Sequence, residues 1–284
     1  MKKLLTLFFV FLFSILTFSQ TDFTEQDKEI CISKFRFAAD KELADKPINE
    51  VIAEIGKSFI GTDYEAYTLE KEGIERLSLH LTGFDCTTFL ENTLAFARCI
   101  KAGKTSFEDF QNELIKIRYR NGIINQYPSR LHYFSDWIYD NSQKGIVEDI
   151  TKNIGGVICP NKVSYMTKNR DRYKQIKMND QFYDEIKKQE KEINSRVYYY
   201  IPKNKISGIE DKIKTGYLIA FTSNVAGLII SHVGIAIKMN DGRIHLLHAA
   251  TIGSTIHISK RPLSEYIAKN SKQTGIIILK PIDP

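Results

Sequence analysis

Gly83-Phe84-Asp85-Cys86-Thr87-Thr88 leads into an apolar series, Phe89, Leu90, Thr93, Leu94, Ala97 and Ile100, that recurs at helical spacing. It is the strongest helix pattern in the chain, running to about Ile100, with Gly103 placed to close it. Asp85 suits an N-cap, because its side chain can accept from first-turn amides, so Cys86 falls at the helix start. There the helix dipole and free amides favour a thiolate, the reactive form of cysteine. The same amides can face the oxyanion of a tetrahedral intermediate, so one position supplies both nucleophile and stabiliser. A free cysteine is more often a small buried hydrophobe, and Cys86 reads as catalytic only with a second element.

That element lies downstream. Ser231-His232-Val233-Gly234-Ile235-Ala236-Ile237 places a histidine at the mouth of a strand whose later residues are small or aliphatic and fit a buried sheet. The turn Asn240-Asp241-Gly242 returns the chain through Arg243-Ile244-His245-Leu246-Leu247-His248-Ala249, which puts His248 on the neighbouring strand. From there it can hold the His232 imidazole by its second nitrogen, fixing tautomer and orientation. His245 and His248 are three apart, on opposite faces of a strand, which argues against a zinc pair. No HExxH or CxxC spacing occurs, so neither metal nor cofactor is expected. His80 and His257 read as ordinary polar positions.

Working outward, Asp27 to Ala44, Pro47 to Phe59 and Phe107 to Tyr119 read as helices, with a break at Asp45-Lys46-Pro47. Residues 160–196 are highly charged around sparse apolar positions, with a helix expected over Gln181 to Ser195, and read as an insertion folded onto the domain. Strands are expected over Val197–Ile201, Tyr217–Thr222, His232–Lys238, Arg243–Ala249, Thr255–Ser259 and Gly275–Leu279. Helices first and an antiparallel run of strands second indicate one α+β domain over residues 20–284, its N-terminal helices packed on a C-terminal sheet.

At the other end, Met1-Lys2-Lys3, an apolar run from Leu4 to Phe18, and Ser19-Gln20 before a charged sequence form the pattern of a secretory signal peptide over residues 1–19, with cleavage after Ser19 or Gln20. The run is short for a membrane span, and no stable membrane insertion is expected after cleavage. Export implies the periplasm or cell surface. The formal charge of +6, two units of it from Lys2 and Lys3, is spread among acidic residues and accompanied by no nucleic-acid motif, so nucleic acid is not an expected partner. Four cysteines, Cys31, Cys86, Cys99 and Cys159, are few for a disulfide framework at this length.

The combination Phe84-Asp85-Cys86-Thr87-Thr88-Phe89, His232-Val233-Gly234-Ile235 and Leu247-His248-Ala249 resembles the NlpC-type cell-wall cysteine hydrolases, which have a papain-like fold. Ile60-Gly61-Thr62-Asp63-Tyr64, Ser129 to Ile138, Tyr200 to Lys203 and Gly227-Leu228 extend the resemblance to their N-acetylmuramoyl-L-alanine amidase-like branch, over about residues 56–280. The resemblance implies Cys86 as nucleophile, His232 as general base, His248 as orienting residue, and Tyr64 beside the reacting region. It also implies peptidoglycan fragments, muropeptides, as substrate. Asp85, Arg130, His132 and Tyr133 are expected to line the substrate cleft, with Arg130 available to a peptide carboxylate; His132 reads equally as a packed, hydrogen-bonded core group. The chain departs from the family where Gly216 is followed by Tyr217 rather than Asp. Two rivals remain: a D-glutamyl-diaminopimelate endopeptidase using the same machinery, and a non-catalytic wall-binding protein of the same fold. Fast alkylation of a low-pKa thiol would favour an enzyme over the binder.

Overall fold

The computed structural model describes residues 21–251 and 254–284; the expected leader and its cleavage point lie outside the described residues. In chain order the helices are α1 (Glu25–Asp40), α2 (Ile48–Lys57), α3 (Cys86–Lys101), α4 (Phe107–Arg118), α5 (Phe134–Gln143), α6 (Tyr165–Lys168), α7 (Lys174–Met178), α8 (Asp180–Ser195) and α9 (Leu263–Ala268). The strands are β1 (Asp63–Tyr64), β2 (Gly83–Phe84), β3 (Val147–Asp149), β4 (Val157–Ile158), β5 (Tyr199–Pro202), β6 (Leu218–Ser223), β7 (Ile230–Lys238), β8 (Ile244–Ala250), β9 (Thr255–Ile258) and β10 (Gln273–Pro281). They form one sheet in the order β2-β1-β9-β8-β7-β6-β10-β5-β4, with β3 also on β10. The α+β class holds, but the sheet is mixed, because β1 and β2 pair in parallel.

Helix α3 ends as its sequence indicates. Gly103 takes a left-handed φ of 66°. Its amide donates to the Ile100 carbonyl at 3.1 Å and that of Lys104 to Cys99 at 3.0 Å, a Schellman closure. The first helix is shorter than expected, ending at Asp40, because Glu42 turns the chain through a left-handed conformation with φ 51°. Helix α5 was not legible as a helix. No side chain caps its start, and four polar residues, Ser135, Asp136, Asp140 and Asn141, are buried on it, which breaks the apolar period.

Apolar residues cover both sheet faces. One core joins Phe35, Ile52, Phe89, Phe96, Phe110 and Trp137 from the first five helices to Val233 and Ile235 of β7. The other packs Leu263 and Ile267 of α9 on Phe221, Ala236 and Leu246. Residues 160–196 leave the sheet between β4 and β5, which pair as Val157↔Tyr200 and Ile158↔Tyr199. They fold around a third core of Tyr127, Tyr133, Met166, Ile176, Ile186 and Ile193. The segment therefore packs against Tyr127 and Tyr133.

The turn at Gly216 explains the departure noted above. Its φ of 85° and its crowding, where a Cβ would lie 1.7 Å from the Asn49 carbonyl oxygen, require glycine. The Gly216 amide donates to the Ala236 carbonyl at 2.7 Å, so the turn is held by backbone without an aspartate after it.

Candidate active site

Asp85 caps α3 as its sequence suggests: its Oδ1 accepts from the Thr88 amide at 2.7 Å, and Thr88 Oγ1 accepts from the Asp85 amide at 3.0 Å. This reciprocal cap fixes the angle at which β2 enters the helix and sets Cys86 at its first position. The half-buried Cys86 sulfur meets three donors, its own amide, the Val233 amide and the Thr87 hydroxyl, all of which favour the anion. Even so the thiol is pushed up to about 12, by burial first and by the charge of Asp85 second. The helix start therefore does not hold a standing thiolate, contrary to the sequence expectation. A dipole contribution of about 0.3–1 kcal/mol is outweighed by desolvation.

His232 owes its aim to a bulge. Phe221 pairs with His232 while Thr222 pairs with Ile230, leaving Ser231 as an extra residue in β7 immediately before the histidine. His248 follows Leu247 on β8, where Leu247 pairs with Ile235. Gly234 lets the strands close there, since a Cβ would lie 2.9 Å from the Leu247 carbonyl oxygen. The imidazoles meet at 2.7 Å, His232 Nε2 to His248 Nδ1. Burial lowers His232 to about 4, and burial together with repulsion from His232 and His257 lowers His248 to about 2. Both rings are neutral at neutral pH. The arrangement competent for base catalysis is then His232 Nε2–H donating to His248 Nδ1, which frees His232 Nδ1 to take a proton and puts the second hydrogen of the pair on His248 Nε2.

The five expected cleft residues, Tyr64, Asp85, Arg130, His132 and Tyr133, all line one cavity of about 350 Å³. Tyr64 pairs with Phe84 across β1 and β2, which brings it beside the nucleophile. Arg130 is not free for a carboxylate as expected. It is buried, with Nη2 2.9 Å from Glu70 Oε1 and Nε 3.2 Å from Glu75 Oε1, and two acids already neutralise it. His132 is a packed, hydrogen-bonded group in the wall of this cavity. Its Nε2 donates to the Tyr127 carbonyl at 2.9 Å, and burial followed by the Arg130 charge holds it well below the usual histidine range, so it is a neutral wall of the cavity. The Tyr133 hydroxyl donates to Glu190 Oε1 at 2.6 Å and accepts from the Met166 amide at 2.8 Å. Its polar end thus ties α5 to α6 and α8.

Two neighbours were missed. His257 pairs with His248 across β8 and β9, the rings 5.0 Å apart, and Tyr266 of α9 packs edge-on against His248 at 5.3 Å. A pairing register could have pointed to His257; no sequence spacing points to Tyr266. His245 lies elsewhere, between Asp241 Oδ2 at 2.9 Å and the Ser259 carbonyl at 2.7 Å. Among the described residues, no three His, Cys, Asp or Glu side chains converge as a metal site.

All four cysteines are free thiols. Because Cys86 titrates high and His232 low, the resting pair is neutral between about pH 5 and 9. Alkylation of Cys86 in the ligand-free protein, followed by mass spectrometry without reductant, should therefore accelerate about tenfold per pH unit from 6 to 9, as the thiolate fraction does. A rate that levels off near neutrality would mean a preformed thiolate–imidazolium pair. Slow alkylation at neutral pH consequently no longer separates a binder from an enzyme.

Residues 54–276 match the AmiA-like family, described as N-acetylmuramoyl-L-alanine amidase-like. No curated protein matches the chain. Among solved structures, an N-acetylmuramoyl-L-alanine amidase from Bacteroides uniformis is 33% identical, with a TM-score of 0.78 over 83% of this chain and 99% of that one. A Bacteroides fragilis protein named as a candidate xylanase is 38% identical, with a TM-score of 0.75 over 79% and 98%. A Legionella pneumophila protein, 22% identical, shares the fold at a TM-score of 0.69 over 92% and 96%. With most of its length matched, the chain belongs to the N-acetylmuramoyl-L-alanine amidase-like family.

Proposed function

We propose that the protein is an exported, papain-like cysteine hydrolase of the NlpC type that cleaves the amide joining N-acetylmuramic acid to L-alanine in muropeptides. The observation that carries this is the 2.7 Å bond from His232 Nε2 to a neutral His248, which leaves His232 Nδ1 as the base, on the residue preceding the amide that meets the Cys86 sulfur. In the first half-reaction the Cys86 thiol proton moves to His232 Nδ1 as sulfur attacks the lactyl carbonyl carbon. Amides at the α3 start stabilise the oxyanion. The carbon–nitrogen bond breaks as His232 returns the proton to the alanine nitrogen, leaving a thioester. Water then attacks with His232 as base, releasing the muramoyl carboxylate and restoring the thiol. His248 stays neutral, accepting the His232 Nε2–H while His232 is charged.

A glycoside hydrolase reading of the same site lacks its machinery. That chemistry generally needs two facing carboxyl groups, whereas Asp85 caps a helix, Glu91 is bound to Arg118, and Glu70 to Arg130. The test is a purified disaccharide-tetrapeptide with products identified by mass. Free disaccharide plus a peptide beginning with L-alanine is the expected result. A disaccharide still carrying L-alanyl-D-glutamate would instead make the protein an endopeptidase, and absence of turnover would favour a wall-binding role.

A further inference from the structure

The three most exposed large hydrophobic side chains among the described residues are Tyr67 at 81%, Met178 at 77% and Ile74 at 69%. Single exposed apolar residues are ordinary, but these come from two segments, 66–76 and 168–178, that are held against each other. The Lys174 ammonium pairs with Glu72, and Gln175 Nε2 donates to the Lys71 carbonyl at 2.7 Å. Tyr67 and Tyr173 line the same cavity as Asp85, so the two segments form part of its rim. Tyr67 also takes a left-handed φ of 66°, a conformation that bulky residues rarely adopt, and its ring nonetheless meets solvent rather than a core.

The charge left over in these segments is positive. Their carboxylates are already paired, Glu72 with Lys174, Asp171 with Lys177 at 3.2 Å, and Glu70 and Glu75 with Arg130. Arg76, Lys168 and Arg172 are exposed and meet no carboxylate among the described residues; Arg172 Nη1 donates to the Tyr165 hydroxyl at 2.9 Å. Long cations beside protruding apolar and aromatic tips suit one kind of partner. The core of a protein–protein interface is depleted in lysine. A protein that lies on a bilayer instead presents Lys and Arg to lipid phosphates and inserts apolar side chains among the headgroups. Tyrosine fits that level, where its ring is covered and its hydroxyl stays wet.

We infer that the rim formed by residues 66–76 and 168–178 is a docking surface for an anionic lipid bilayer. Tyr67, Ile74 and Met178 enter the headgroup region, while Arg76, Lys168 and Arg172 pair with lipid phosphates. The contact is peripheral, since no helix among the described residues is long and apolar enough to cross a membrane. Docking in this way turns the mouth of the cavity beside Asp85 toward the bilayer. The inference is independent of which amide the enzyme cuts.

Co-sedimentation of the exported protein with vesicles tests it. Vesicles of phosphatidylglycerol and phosphatidylcholine at low salt should bind the protein at least about tenfold more strongly than phosphatidylcholine alone. Lys168→Glu/Arg172→Glu and, separately, Ile74→Asp/Met178→Asp should each weaken binding to the anionic vesicles about tenfold or more. All four positions are exposed, and an unchanged thermal midpoint in each variant shows that the fold is intact. No binding to anionic vesicles, or binding that neither variant changes, overturns the surface. So does a loss confined to Lys168→Glu/Arg172→Glu, which is the signature of a polyanion site without apolar insertion. A dimer that forms without vesicles and dissociates in Ile74→Asp/Met178→Asp overturns it as well, because a second copy then covers the patch.

Discussion

Turnover should vanish when Cys86 is replaced by alanine, and His232→Ala should lower kcat by about 10³-fold or more, as loss of a nucleophile or its base does in enzymes where they act as a unit. His248→Ala should cost less, about 10²-fold, because His248 exchanges no proton with substrate and acts by holding the tautomer and orientation of His232 through the 2.7 Å bond. The effects should not add. In Cys86→Ala/His232→Ala the loss should match that of Cys86→Ala alone, since a base has nothing to deprotonate once the thiol is gone. Product formation from a defined muropeptide gives the readout. Normal turnover in Cys86→Ala would remove the nucleophile from the mechanism.

The parts of this site that are local in sequence were legible, and those assembled by tertiary packing were not. Helix α3 could be read because its period, cap and closing glycine lie within twenty residues and agree with one another. The β7–β8 pair could be read because the turn Asn240-Asp241-Gly242 announces it, and the pair then carries His248 to His232. The two-residue strands β1 and β2 have no periodicity to detect. Arg130 looked available because the acids that neutralise it, Glu70 and Glu75, come from a loop some sixty residues earlier in the chain. The resting protonation of Cys86 was misjudged for a related reason: a helix start is a local signal, but the burial that outweighs it comes from β7 and the surrounding chain. Tyr266 reaches the site from α9, whose six residues carry no chemical motif.

The largest stability effect should come from Glu91, one and a half turns beyond the nucleophile on α3. Its Oε2 accepts from Arg118 Nε of α4 at 2.7 Å, and its Oε1 from Trp137 Nε1 of α5 at 3.1 Å, with the side chains of Glu91 and Arg118 each 2% exposed. Burial raises the Glu91 carboxyl while Arg118 opposes the rise. One carboxylate on the catalytic helix thus ties it to the two helices that back it, α4 and α5. Removing it in Glu91→Ala strands a buried guanidinium and should cost about 3–5 kcal/mol in denaturant unfolding. The pair itself need not be worth that much, because much of the loss is the desolvated charge left behind. Replacing both members by apolar residues of similar volume, Glu91→Leu with Arg118→Met, should therefore be milder than Glu91→Ala, and a cycle of single and double variants should show strong coupling. A cost below about 1 kcal/mol for Glu91→Ala would mean that water or the neighbouring cavity solvates Arg118. In that case the rigidity of the α3 start would have to come from apolar packing alone, and Cys86 would be held by Phe89, Phe96 and Val233 rather than by this ion pair.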